Sequence, residues 1–265
     1  MKKSNFNSRT LFALPYLIFM VIFVVVPLGM LLFYAFYNNG NGFSFAEVTK
    51  YFNDPAQWAT IVRSLRIAFL AALLCVLLGY PLAYIISRMR SRRLQYLTLM
   101  AVAAPMWING LLRTIALKNL ATMVGIPTGE FLLVLGLTID YLPFMIMPIY
   151  NVLIGINQAY YEVSADLGAT PATTFVKVVL PLSITGILSG FLMVFTPAVS
   201  TYYMSEYLGN QSTFMIGEQL NEMFAKRDNK SGAAVIALVL LIIVGVSVLI
   251  ANRLSKVGNK RGGLY

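Results

Sequence analysis

The chain has 265 residues, 58% of them hydrophobic and only 11% charged, with 20 Lys and Arg against 10 Asp and Glu. A soluble domain averages about 25% charged residues, so this composition excludes an ordinary soluble globule and makes lipid the solvent for most of the surface. With no histidine and a single cysteine, the chain lacks the commonest general base, any Ser-His or Cys-His nucleophile pair and an intrachain disulfide.

A membrane helix needs about 20 predominantly apolar residues. After Lys2, Lys3 and Arg9, no charge occurs from Thr10 to Ala46. That run exceeds a signal-peptide core of about 7–15 residues, so it predicts a retained helix over 11–36, kinked near Pro27. The Asn- and Gly-rich segment 38–58 reads as a loop separating this helix from the rest. Five further spans follow at 64–87, 94–116, 131–154, 178–201 and 232–252. Cys75, inside the second, reads as a small buried hydrophobe. Trp107 and Asn109 lie midway along the third, with Arg113 its lone deep basic residue. Asp140 is the only acid well inside a span, at a depth of about 14 Å. It faces either a watery pathway or Arg113 as a structural partner. Pro143 and Pro148 predict an irregular fourth helix, with Phe144 and Met145 as core. Tyr202, Tyr203 and Glu206 close the outer end of the fifth span; the tyrosines fit an interfacial belt, ordinary packing or a pathway. Gly186 and Gly190, four apart, permit close helix approach, within this chain or to a partner.

The connection 157–181 is too polar to span. Tyr160 to Leu167 predicts two helical turns, Gly168 a left-handed terminator, and Thr170-Pro171 the start of a second helix. Glu162 and Asp166 share one face, which is either solvated or matched by a positive partner.

Lys and Arg in the short connections set orientation. The N-terminus, the Arg88–Arg93 link, the 157–181 connection and the tail fall on one side, the cytoplasm. Twelve bases against Glu162 and Asp166 there account for the net charge of +10, while seven bases and seven acids balance outside. The excess is an orientation feature facing anionic lipid, not a nucleic-acid footprint.

The stretch from Glu162 to Pro181 resembles the E-A-A–x3–G–x9–I–x–L–P loop of type I ABC importer permeases. Glu162, Gly168, Leu180 and Pro181 stand at its spacings; Val163 and Ser164 replace its two alanines. The segments APMWINGLLR (104–113), YLPFMIMPIYN (141–151) and YYMSEYLG (202–209) are similar to those of PotB-type permeases of spermidine/putrescine importers, with Glu206 where that pattern has an aspartate. This resemblance covers about Ile61 to Asn252. It implies an all-α polytopic fold of six transmembrane helices. It divides the chain into an N-terminal tail, helix and outer loop (1–60), a five-helix core (61–252) and a basic tail (253–265). It assigns coupling to a separate ATPase to Glu162, Ser164, Ala165, Asp166, Gly168 and Ala169.

It also implies an ATPase dimer on the cytoplasmic face, a second homologous permease subunit, an extracytoplasmic polyamine-binding protein, and a bacterial inner membrane with both termini cytoplasmic. No Gly-Lys dipeptide occurs, so a phosphate-binding loop is absent; no cofactor belongs to this chain, and ATP and Mg fall to the partner. A polyamine path needs carboxylates and aromatic faces, for which Trp107, Asn109, Asp140, Tyr202, Tyr203 and Glu206 are the candidates. Trp107 serves packing or pathway equally well. Rival readings are a permease for ferric iron or a phosphonate, or an ion-gradient-driven transporter, which needs no such loop. An intramembrane protease is excluded by the missing histidine and the missing G-x-G-D run.

Overall fold

The computed structural model describes residues 8–38, 42–226 and 230–262, without the side chains of 8–13, 38, 226 and 254–262. Lys2, Lys3, Arg227 and Asp228, whose charges entered the orientation argument, lie outside the described residues. The first span joins α1 (Ser8–Met20) to α2 (Val26–Phe36) through a π-helical turn at Val21–Val25. The expected irregularity near Pro27 takes the form of this turn, and Leu14–Phe36 remains one span. Pro27 offers no N–H to the preceding turn and its ring crowds that turn's carbonyl, so the helix widens just ahead of it.

The segment expected to be a loop is partly ordered. Strands Tyr37–Asn38 and Gly42–Phe43 pair antiparallel, and α3 (Ala46–Asn53) follows. Asp54 then caps α4 (Pro55–Ser87), its carboxylate accepting from Ala56 N at 2.9 Å with proline at the first helical position. The second helix therefore starts well before residue 64, because Arg63 and Arg66 ride on its outer turns rather than ending it.

The third and fifth spans, expected to be continuous, are broken. The third comprises α5 (Arg92–Ala103) with a tight turn at Ala104–Trp107, then α6 (Gly110–Val124), bent by 91°. Pro105 tightens the first half's end, Ile108 is extended, and the Asn109 side chain caps α6 by accepting from Leu111 N at 2.9 Å and Leu112 N at 3.4 Å. An asparagine that bonds its own following backbone competes with helix continuation. The fourth span is α7 (Glu130–Gly155), and α8 (Gln158–Asp166) and α9 (Pro171–Thr174) lie in the connection between the fourth and fifth spans. The fifth joins α10 (Leu180–Leu182) to α11 (Ile184–Ser200), with 61° between the stretches Pro171–Leu182 and Ile184–Ser200. A second π-helical turn, Phe175–Val179, precedes Pro181 just as the first precedes Pro27. The outer elements α12 (Tyr203–Leu208) and α13 (Ile216–Lys226) lead into α14 (Lys230–Gly262), which continues through the expected tail. Among the described residues, four continuous helices and two bent pairs thus give up to six crossings.

The core lies where α4, α7 and α11 pack. Ile67, Ala71, Ala72, Leu133, Ile146 and Ile149 are fully buried there. Gly186 and Gly190 settle the alternative left open by their spacing. A Cβ on Gly186 would stand 3.0 Å from the Pro148 carbonyl, and one on Gly190 would stand 2.7 Å from Met145 Sδ. Both glycines therefore seat α11 against α7 of the same chain, the small residues allowing close backbone approach. Cys75 is buried and free, its thiol against the Thr138 carbonyl at 3.5 Å.

Candidate functional site

The break in the third span creates a polar cluster inside an otherwise apolar bundle. Because α6 starts at Gly110, Arg113 on its first turn faces α7. There Arg113 Nη2 meets Asp140 Oδ1 at 2.6 Å, with side-chain exposures of 22% and 7%. Of the sequence's two readings for Asp140, the structure realises the pairing with Arg113. Losing one partner of a buried pair costs about 3–5 kcal/mol, because the other charge is stranded. Tyr141 and Tyr203 lie within electrostatic reach of Asp140. A Cβ on Gly110 would stand 2.7 Å from the Tyr203 hydroxyl, so glycine at the break is what admits that ring. Among the described residues, Arg113 Nε and Thr201 Oγ1 are buried without a hydrogen-bond partner.

The structure therefore brings Asp140 and Tyr203 together, while Asn109 is exposed at the start of α6, which it caps. The other candidates stand further out. Trp107, 87% exposed, projects from the break rather than packing into it. Tyr202 meets Tyr203 edge-on with ring centroids 5.6 Å apart. Glu206, one turn along α12, is exposed.

Beyond Glu206 lies a carboxylate that sequence reasoning counted only as outer charge. A Cβ on Gly217 would collide with the Ser200 and Thr201 carbonyls, so α13 packs directly on the end of α11. Arg63 Nη1 donates to the Phe214 carbonyl at 3.2 Å and Ser64 Oγ accepts from Ile216 N at 2.9 Å, pinning α13 to α4. Glu218 is thereby brought to the Ser205 hydroxyl, which donates to it. Burial holds the Glu218 carboxyl above its usual range; the Ser205 bond and the Met215 backbone oppose this, and Glu206 and Glu222 add to it. Three acids on the outer face thus share one field. No local sequence pattern singled out Glu218, because its burial depends on contacts from α11 and α12.

In the connection between the fourth and fifth spans the helix–glycine–helix pattern is realised. Asn157 caps α8 by accepting from Ala159 N at 3.0 Å. Gly168 has φ +73°, where a side chain would be strained. Thr170 caps α9, its hydroxyl accepting from Thr173 N at 3.3 Å. Ser164 turns inward, its hydroxyl 2.6 Å from that of Thr174, so it ties the two limbs together. Glu162, Ala165, Asp166 and Gly168 are exposed, and Ala169 is partly so. Tyr160, Val163 and Leu167, at helical spacing, expose an apolar stripe, Leu167 at 82%.

This turn is mechanically tied to the spans. The Arg88 guanidinium, just past the end of α4, sits 3.7 Å from the centroid of the Tyr161 ring. Phe175 meets Tyr80 and Tyr84 of α4 edge-on at 5.7 and 5.1 Å. The Tyr80 and Ser183 hydroxyls are 2.8 Å apart. Displacing α8 therefore pulls on α4 and on the broken fifth span together.

Known proteins with similar sequences and folds agree on one group. The family described as binding-protein-dependent transport system inner membrane component matches residues 75–260. The spermidine/putrescine transport system permease protein PotB of Escherichia coli (strain K12) is 31% identical over 227 residues, covering 78% of this chain and 82% of that protein. PotB of Haemophilus influenzae is 26% identical over 264 residues, covering 91% and 92%. Among solved structures, a bacterial ABC transporter involved in the import of the acidic polysaccharide alginate has a chain superposing with a TM-score of 0.74 at 18% identity, covering 93% of this chain and 94% of that one. The inward-facing MetNI methionine ABC transporter gives 0.65 at 18%, covering 78% and 99%.

Proposed function

The chain belongs to the family of binding-protein-dependent transport system inner membrane components and has the type I ABC importer permease fold, and on that premise we propose that it is the permease subunit of an ATP-driven importer of polyamines such as spermidine and putrescine. The observation that carries the polyamine reading is 31% identity to PotB through 78% of the chain. The outer face supports it. Glu206, Glu218 and Glu222 share one field there, and Tyr202, four residues before Glu206, is exposed. Carboxylates attract ammonium groups, and aromatic faces add about 0.5–2 kcal/mol each.

At mid-depth the path follows the second of the two readings open for Asp140. Asp140 is already neutralised by Arg113, so a polycation there meets hydroxyl and aromatic groups beside a neutral ion pair. The accessible negative charge belongs to the outer entrance. This arrangement attracts the substrate at the mouth without a deep, unpaired carboxylate to hold it.

The exposed stripe Tyr160–Val163–Leu167, flanked by Glu162 and Asp166, supports docking of a separate ATPase dimer, one subunit of which receives α8. ATP, with Mg, binds to that partner. Its closure displaces α8; Arg88–Tyr161 and the Phe175 ring contacts pass the movement into α4 and α11, opening the path outward; hydrolysis resets it. A second homologous permease completes the path, an extracytoplasmic binding protein delivers the polyamine, and both termini lie in the cytoplasm of a bacterial inner membrane.

The test is uptake by the chain reconstituted with its partner subunits. Spermidine uptake falls in Glu206→Gln and Glu218→Gln and more steeply in the double variant. Unchanged uptake and unchanged substrate-stimulated ATPase in Glu206→Gln and Asp140→Asn alike would contradict an acid-lined path. Uptake of ferric iron or a phosphonate, with none of spermidine, would contradict the substrate.

A further inference from the structure

The cytoplasmic ends of α4 and α7, the turn between α4 and α5, and the start of α8 enclose a cleft of about 360 Å³. Arg88, Arg90, Arg92, Gln95, Tyr150 and Tyr161 contribute to its lining, and no carboxylate does. Its wall is a built structure rather than a chance of surface rotamers. Gln95 Nε2 donates to the Met89 carbonyl at 2.7 Å, holding the turn, and the Tyr150 hydroxyl reaches Gln95 Oε1 at 3.5 Å. Among the described residues, none of Arg88, Arg90, Arg92 or Arg93 is in an ion pair. Arg92 and Arg93 occupy the first turn of α5, which contains no acid, and there the helix dipole disfavours cations. Like charges are thus gathered on a fixed frame at an unfavourable position, and an anion is what would balance them.

The surroundings indicate how that anion arrives. Leu94 (51%), Leu97 (63%) and Ile154 (53%) expose apolar side chains next to the cleft in sequence. Tyr96 and Ile154 line both it and the outward surface. Guanidinium groups recognise phosphate oxygens by paired N–H donors, and basic pockets between helices on the cytoplasmic side suit lipid headgroups.

We propose that this cleft binds the phosphodiester headgroup of an anionic phospholipid of the cytoplasmic leaflet. Through the stacking of Arg88 on Tyr161, occupancy steadies α8, so that coupling depends on the lipid composition around the chain. The shared chemistry is that of any phosphate, but the apolar rim beside the arginines selects one carried on acyl chains. The site is independent of the substrate reading; its test needs no transport.

The experiment is native mass spectrometry of the full chain, offered equal phosphatidylglycerol and phosphatidylcholine. Wild type retains phosphatidylglycerol preferentially. Arg90→Gln/Arg92→Gln, both at exposed positions, loses that preference by about tenfold, whereas Arg90→Lys/Arg92→Lys keeps most of it. Lys177→Gln/Arg253→Gln, which removes two exposed bases that lie outside the cleft lining, leaves it intact. Matching melting curves establish that the variants fold. In parallel, hydrogen exchange of residues 158–166 slows when phosphatidylglycerol is added to wild type but not to Arg90→Gln/Arg92→Gln. Equal loss in the control variant overturns the site in favour of diffuse surface charge. Displacement of the lipid by millimolar inorganic phosphate overturns the lipid as its ligand, and unchanged exchange in wild type overturns the link to α8.

Discussion

Arg113 and Asp140 show how a single pair decides what a span can hold. Their 2.6 Å contact makes each the other's condition for burial. Arg113→Leu or Asp140→Leu alone strands a charge and should lower detergent melting stability by about 3 kcal/mol or more, whereas the double variant recovers most of the loss. Equal losses in single and double variants would mean that the charges are not coupled. The sequence offered this pairing as one of two readings, since both charges stand out in apolar runs. It could not choose, because the choice depends on where the third span breaks. Glu218 follows a different logic. Its carboxyl is raised by burial and by Glu206 and Glu222, so the folded chain binds that proton more tightly than the unfolded chain does. The residue's contribution is thus fully present below the unfolded value of about 4.3 and is lost as pH rises through the higher folded value. Glu218→Gln should therefore gain in relative stability as pH rises from about 4 towards 7, as read by melting at each pH. A constant difference would remove the burial argument.

At the level of elements, apolar length and charge located four continuous spans and the two bent pairs, but not the breaks within those pairs. Counting charge-free residues is blind to a break when both halves are apolar. The cues to the break were Pro105 and the self-capping Asn109, a residue whose local bonding competes with the helix. The same count cut α4 short, because Arg63 and Arg66 lie on helical turns outside the apolar stretch. The turn between α8 and α9 was the most legible part in its shape: a cap, a left-handed glycine and a Thr-Pro start are local features, and local features survive in sequence. Two substitutions probe these elements. Gly190→Leu forces side-chain atoms into Met145, where a Cβ alone would already stand 2.7 Å from the sulfur; overpacking of this kind costs about 1–3 kcal/mol and should show as a lower melting temperature. Gly110→Val should displace the Tyr203 ring and impair transport more than it impairs melting; equal impairment would make the break merely structural.

For the whole molecule, charge and aromatic contacts divide the labour. Arg88, Arg90 and Arg92 line a cleft that reaches the start of α8, and Glu206, Glu218 and Glu222 share one field near the end of α11. Between them run α4, α7 and α11, packed through glycines and tied to the turn by Arg88–Tyr161 and Phe175. That arrangement lets a push on α8 reach the outer half without an intramembrane charge having to move far. The central claim is that movement at the Gly168 turn, driven by ATP in a partner, carries polyamine through this chain. The most direct measurement is accumulation of labelled spermidine in vesicles containing the chain with its partner subunits and supplied with ATP. The account predicts ATP-dependent accumulation that is abolished by Gly168→Asp, with the chain still folded and inserted; accumulation that persists without ATP on an ion gradient, or is untouched by Gly168→Asp, would contradict it.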